Sequence, residues 1–165
     1  MAKLLKEFYK NSKKNKARYK RFLTGIENNP PRRIHDKIAL ADAEAWTQVD
    51  CLECANCCKT MTPTWLSADI KRVATYLNLS PKDFKEKWLV KDKSGDWINK
   101  STPCQFLNLK NNKCSVYPYR PKDCSGFPHH RKKPVNHYIH VFKQNLEYCP
   151  ATYKMVENLK EKMLS

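Results

Sequence analysis

The sequence predicts an α+β fold: a small, mainly helical domain with a β-hairpin, organised around a cysteine metal cluster. Three observations carry that expectation. Apolar residues recur at steps of three and four over most of the chain, the period shortens to two between Gln105 and Tyr117, and eight cysteines occur in 165 residues.

The elements follow in order. Leu5, Phe8, Ser12, Asn15, Tyr19, Phe22 and Ile26 predict a basic helix over residues 3 to 26, with an apolar stripe that weakens in its middle. Asn28-Asn29-Pro30-Pro31 ends it. A second helix carries Ile34, Ile38, Ala41, Ala45 and Val49 and runs straight into Cys51. Ser67 is placed to cap a third, with Ile70, Val73, Ala74 and Leu77 on one face, and Ser80-Pro81-Lys82-Asp83 is a capping-box variant opening a fourth that carries Phe84 and Trp88. Leu107 and Leu109, a turn at Asn111-Asn112, then Cys114 and Val116 read as the hairpin, with Cys114 across from Leu109. A further strand is expected from Val135 to Phe142. Pro150 then opens a last helix with Tyr153, Val156, Leu159 and Met163 inward.

Charge and composition narrow the function. The formal net charge of +16 divides as +9 over residues 1 to 37, 0 over 38 to 100 and +7 over 101 to 165. With the proline break, this predicts a basic N-terminal helical arm over 1–30 and a cysteine-cluster metal-binding domain over 31–165. Such an arm suits an acidic partner, nucleic acid being the usual one, and serves solubility equally well. Three glycines, at 25, 95 and 126, can write neither a phosphate loop nor a dinucleotide fingerprint. A mean hydropathy of -0.78 and the lack of any apolar run near 18 residues predict no membrane span. The basic start lacks a secretory apolar core, so a cytoplasmic location is expected. In a reducing compartment, metal ligation is a better use for the sulfur than four disulfides.

The candidate ligands are Cys51, Cys54, Cys57, Cys58, Cys104, Cys114, Cys124 and Cys149. Two residues between cysteines let one tight turn aim both sulfurs at a single ion, and Cys51-x2-Cys54-x2-Cys57-Cys58 contains two overlapping copies. Eight thiolates could form two closed zinc sites, with Cys57 and Cys58 pointing to opposite sides of an extended backbone. Three close cysteines with a distant Cys149-Pro150 equally suit an iron-sulfur cluster. The first group leans to iron-sulfur, and zinc stays open for the rest. Arg120 is placed to bond a carbonyl or a carboxylate, with Asp123 as one partner. His129 and His130 are expected as a solvated loop, with ligand or proton-transfer duty as the alternative. Trp46, Trp65, Trp88, Phe106 and Phe127 are read as core around the metal hub, more readily than as a platform for bases.

Cys51-Leu52-Glu53-Cys54-Ala55-Asn56-Cys57-Cys58, then Pro103-Cys104-Gln105-Phe106-Leu107, then Cys114 through Cys124 with Phe127-Pro128, resembles the YkgJ-type cysteine-cluster family, whose members are described as zinc- or iron-chelating. The resemblance spans roughly residues 46 to 155. It implies that the eight cysteines are metal ligands holding an iron-sulfur cluster or zinc, and it implies no reaction. Asn56 stands where the family usually has glycine, as a residue that tolerates a left-handed turn. The expected function is metal binding, with redox or catalytic duty open. The alternative is a zinc-stabilised module contacting nucleic acid or another acidic partner through the basic arm.

Overall fold

The computed structural model describes residues 2–164. It is mainly helical with small antiparallel sheets, as the sequence predicts, and the chain forms two compact units, Met1–Cys54 with Pro128–Ser165, and Ala55–Phe127. The boundary expected at residue 30 falls inside the first unit, and the stretch 31–165 is divided between both. No helix among the described residues is long and apolar enough to cross a membrane.

The first unit is helical. α1 (Ala2–Asn28) packs on α8 (Ile139–Asn145) and α9 (Pro150–Leu164), while α2 (Ile34–Trp46) lies along α9. Phe8, Tyr19, Leu23 and Ile26 of α1 are buried in one cluster with Ile38, Phe142, Met155 and Leu159. Burying each such side chain stabilises the unit by about 1.5–3 kcal/mol. The weak middle of the α1 stripe has a polar explanation. Ser12 is buried and its hydroxyl donates to the Leu146 carbonyl (2.7 Å), and the Asn15 amide donates to the Tyr153 hydroxyl (2.8 Å). α2 stops at Trp46 rather than running into Cys51. The next helix, α3 (Cys51–Cys54), starts afresh because Asp50 Oδ1 accepts the backbone N–H of Leu52 (2.8 Å) and Glu53 (3.3 Å).

The strand expected from Val135 to Phe142 is instead a 3-10 turn (Val135–Tyr138) leading into α8. Val135, Ile139, Phe142 and Leu146 are all buried. Their spacing of four, three and four is helical, and it overrides the β-preferring residue types.

The second unit holds α4 (Asn56–Thr60), β1 (Thr64–Trp65), α5 (Ser67–Tyr76), α6 (Pro81–Trp88), β2 (Leu89–Lys91), β3 (Trp97–Asn99), β4 (Leu107–Asn108), β5 (Lys113–Cys114) and α7 (Lys122–Gly126). Strands β1, β3 and β2, in that order, form an antiparallel sheet that the periodicity missed, because strands of two or three residues are too short to alternate. Trp65, Ile70, Val73, Phe84, Leu89 and Phe106 are buried together in the core of this unit. Ser67 is the first helical residue of α5 and Leu66 the cap position, with no side-chain cap. Ser80 caps α6 as expected, accepting the Asp83 N–H at 3.1 Å and donating to Asp83 Oδ2 at 2.7 Å.

The hairpin is present in a shifted register. Leu107 pairs with Cys114 and Asn108 with Lys113, around a four-residue loop in which Asn112 takes a left-handed φ of 59° and donates to the Asn108 carbonyl. Cys114 therefore lies opposite Leu107, two residues closer to Cys104 than the expected register with Leu109 allows.

Candidate metal centre

Two short segments set the geometry around the doubled cysteine. Ala55, at φ 45°, is the left-handed residue before α4, and Asn56 is already helical. The left-handed turn expected at Asn56 thus falls one residue earlier. Cys57 and Cys58 lie on α4, where neighbours are about 100° apart rather than on opposite sides of an extended strand. Their sulfurs are 4.0 Å from each other.

Three further cysteines of the second unit come within electrostatic reach of Cys58. The Cys104 N–H donates to the Cys58 carbonyl (2.8 Å), and the Leu107 N–H donates back to the Cys104 carbonyl (2.9 Å), a turn that delivers the chain into β4. Cys114 follows from the hairpin register. Cys124 rides on α7, which Pro121 introduces and which Asp123 ties to β1 by accepting the Thr64 N–H (3.0 Å). Arg120 takes the carbonyl option, donating to Tyr117 O (2.8 Å) while its guanidinium lies 3.8 Å from the Tyr117 ring centre.

The thiols perturb one another. Contact with Cys57 brings the Cys58 thiol down to about 7, against its burial and helped by Lys59. Burial pushes the Cys104 thiol up, and the fields of Cys58 and Cys114 add to it despite the backbone N–H of Phe106. Cys114 is raised by burial and by Cys58, with the Val116 N–H and Arg120 opposing. Cys124 is raised furthest of these three, by burial first and then by Cys58, Cys104, Asp123 and Cys114. Cys58, Cys104, Cys114 and Cys124 therefore sit in a shared field where ionising one opposes the others. A divalent cation among them would reverse that opposition, since it stabilises all four as thiolates. The donor set suits zinc or iron.

In the first unit Cys51 begins α3, Cys54 is buried at its end, and Cys149 is buried just before α9. Burial raises the Cys149 thiol to about 11, the Thr152 side chain and then the Thr152 and Ala151 N–H groups oppose this, and the field of Cys51 adds to it. The Thr152 N–H donates to Cys149 Sγ at 3.4 Å.

Behind Thr152 lies a network the sequence did not reveal. Its hydroxyl meets His130 Nε2 (2.9 Å), His130 Nδ1 meets Asp42 Oδ1 (2.8 Å), and Asp42 also accepts from Trp46 Nε1 (2.7 Å) and Arg131 Nε (3.3 Å). Burial holds His130 below the usual histidine range, so the neutral ring donates from Nδ1. Burial opposes ionisation of Asp42, but His130, Arg131 and Trp46 outweigh it and hold the carboxyl below its ordinary value. His130 is thus an interior residue rather than part of a solvated loop. Its one trace in the sequence is Asp42 itself, a carboxylate next to Ala41 on the buried side of α2.

Of the aromatic residues expected in the core, Trp65 and Phe106 are buried together in the second unit and Trp88 packs partly against them. Among the described residues, no three Cys, His, Asp or Glu side chains are drawn into the arrangement of a formed metal site. The cysteines are gathered rather than closed around a point.

No curated protein and no solved structure shows significant similarity to the chain. The signature of the CxxCxxCC family, described as a putative zinc- or iron-chelating domain, matches residues 50–150 and so takes in all eight cysteines. A match over more than half its length, together with the cysteine spacing, establishes that the chain belongs to the CxxCxxCC family.

Proposed function

We propose that the chain is a metal-binding protein whose eight cysteines, Cys51, Cys54, Cys57, Cys58, Cys104, Cys114, Cys124 and Cys149, hold zinc or an iron-sulfur cluster. The observation that carries this reading is the shared field of Cys58, Cys104, Cys114 and Cys124, contributed by α4, the turn before β4, β5 and α7. These four make one centre, and its first role is to hold the second unit together. Elements of two to five residues gain little from their own hydrogen bonds, and ligation would join four of them at once. When bound, zinc supplies a fixed tetrahedral cross-link, and an iron-sulfur cluster supplies in addition a one-electron redox site.

The test is anaerobic purification followed by an absorption spectrum and elemental analysis, on the parent chain and on Cys58→Ser and Cys124→Ser. Zinc without visible absorbance, or iron with sulfur-to-iron bands, reduced in both variants, is the expected result. A parent chain free of both metals, or variants with full occupancy, overturns the reading.

A second reading rests on α1. Lys3, Lys6, Lys10, Lys13, Arg18 and Arg21 are exposed on it while the opposite stripe is buried, which favours a solvent-facing basic surface for nucleic acid or another acidic partner. Lys6→Glu with Lys10→Glu should weaken binding to heparin or RNA and flatten its salt dependence, and unchanged affinity leaves the charge a solubility feature.

A further inference from the structure

Asn99, at the end of β3, is 3% exposed and has a fixed orientation. Its backbone N–H donates to Thr62 Oγ1 (2.8 Å), and its side-chain Oδ1 accepts two hydrogen bonds, from Trp65 Nε1 (2.8 Å) and from Gln105 Nε2 (3.2 Å). The Trp65 indole nitrogen can only donate, so flipping the amide would set its NH2 against a donor. The oxygen must face Trp65 and the nitrogen must face away.

That nitrogen is buried and makes no hydrogen bond of full geometry. Leaving a buried amide N–H unpaired is costly, and native structures rarely keep one without a reason. Gln105 on the amide oxygen brings the adjacent Cys104 close to this side chain, and Asn99 lowers the Cys104 thiol, an effect that a nearby donor such as Nδ2 has and an acceptor oxygen does not. A neutral thiol is a weak acceptor, whereas a metal-bound thiolate is a good one. Donors aimed at ligating sulfurs draw off charge and orient the ligand, and their loss weakens metal binding by about 10–100-fold.

We propose that Asn99 is a positioning residue of the metal centre, its Nδ2 donating to the Cys104 sulfur once that sulfur is metal-bound, with Trp65 and Gln105 holding the amide in the donating orientation. The inference rests on the reading of Cys104 as a ligand. Asn99→Asp keeps an acceptor oxygen for Trp65 and Gln105 but exchanges the donor for a negatively charged oxygen, so the cadmium coupling in the unmutated chain is the readout that separates lost donation from added charge.

The full chain is titrated with Co2+, following the sulfur-to-cobalt charge-transfer band, in the parent, Asn99→Asp, Gln105→Leu and Cys104→Ser. Asn99→Asp is expected to bind about 10–100-fold more weakly and to move the band to lower energy, as a more electron-rich sulfur requires. Gln105→Leu, which leaves Nδ2 and its Trp65 anchor in place, is expected to match the parent. If Cys104→Ser loses cobalt while Asn99→Asp binds it as the parent does, the role of Asn99 is overturned and the metal centre stands. If Cys104→Ser binds as the parent does, Cys104 is no ligand and both fall. NMR on the unmutated chain loaded with magnetically active cadmium covers the case in which Asn99→Asp does not fold. A coupling from cadmium to the Asn99 side-chain protons across the hydrogen bond supports the proposal, and side-chain protons without it overturn it.

Discussion

The two compact units order their chains by different means. The first packs sixteen buried apolar residues, from Phe8 on α1 to Leu159 on α9, into one cluster among its described residues. The second, about 70 residues long, gathers eight, and its strands are two or three residues each. A unit of that size with so thin a core commonly needs a metal or disulfides to stand. Five of the eight cysteines, Cys57, Cys58, Cys104, Cys114 and Cys124, lie in it. The contrast teaches that apolar burial organises one unit, and the proposed sulfur ligation would be its counterpart in the other.

Metal removal should break the comparison most sharply. Structural tetrathiolate zinc contributes on the order of 10 kcal/mol to small domains, so chelation or Cys124→Ser should make residues 55–127 protease-sensitive. Proteolytic mapping checks this, with fragments of the first unit persisting. Next in size, Leu23→Ala and Phe142→Ala should destabilise the first unit by about 2–5 kcal/mol each through the cavity left behind, leaving metal content unchanged. Denaturant melts with elemental analysis of the same samples check both halves.

The buried network of the first unit gives a pH dependence. His130 has a folded pKa below its unfolded value of about 6.5, so the unfolded chain binds the extra proton and stability falls as pH drops below about 6.5. Asp42, whose folded pKa is also lowered, contributes stability present above its unfolded value of about 3.9 and lost as pH falls through the folded one. Thermal melts between pH 5 and 8 should therefore show a loss on the acid side that His130→Gln flattens. A parent as stable at pH 5 as at pH 7 would contradict the neutral buried ring. The smallest of these effects belongs to the second unit. Ser80→Ala removes the α6 cap and should cost about 1 kcal/mol, read as a shift in the denaturant midpoint.

The sequence made helices legible wherever a stripe was long. α1, α2 and α9 show their inner faces at steps of three and four, and even the polar interruption at Ser12 and Asn15 marks where hydrogen bonds replace apolar contact. Legibility failed where elements are short. The β1-β3-β2 sheet has no stretch long enough to alternate, and the β-branched and aromatic types from Val135 to Phe142 suggest a strand although their period is helical. The site divides the same way. Cysteine identity and spacing are visible in one dimension, while the convergence of Cys58, Cys104, Cys114 and Cys124 depends on a hairpin register set by the loop after Asn108. Asn99 and the Asp42–His130–Thr152 network carry no local pattern, because the contacts that fix them come from distant stretches, 34 residues away for Trp65 on Asn99 and 88 for Asp42 and His130.

The central claim is that the second unit depends on metal held by Cys58, Cys104, Cys114 and Cys124. Amide hydrogen exchange of the full chain, metal-loaded and after chelation under reducing conditions, tests it most directly. Protection should collapse across residues 55–127 on chelation while α2 and α9 stay protected. Protection in 55–127 that survives complete metal removal would contradict the account.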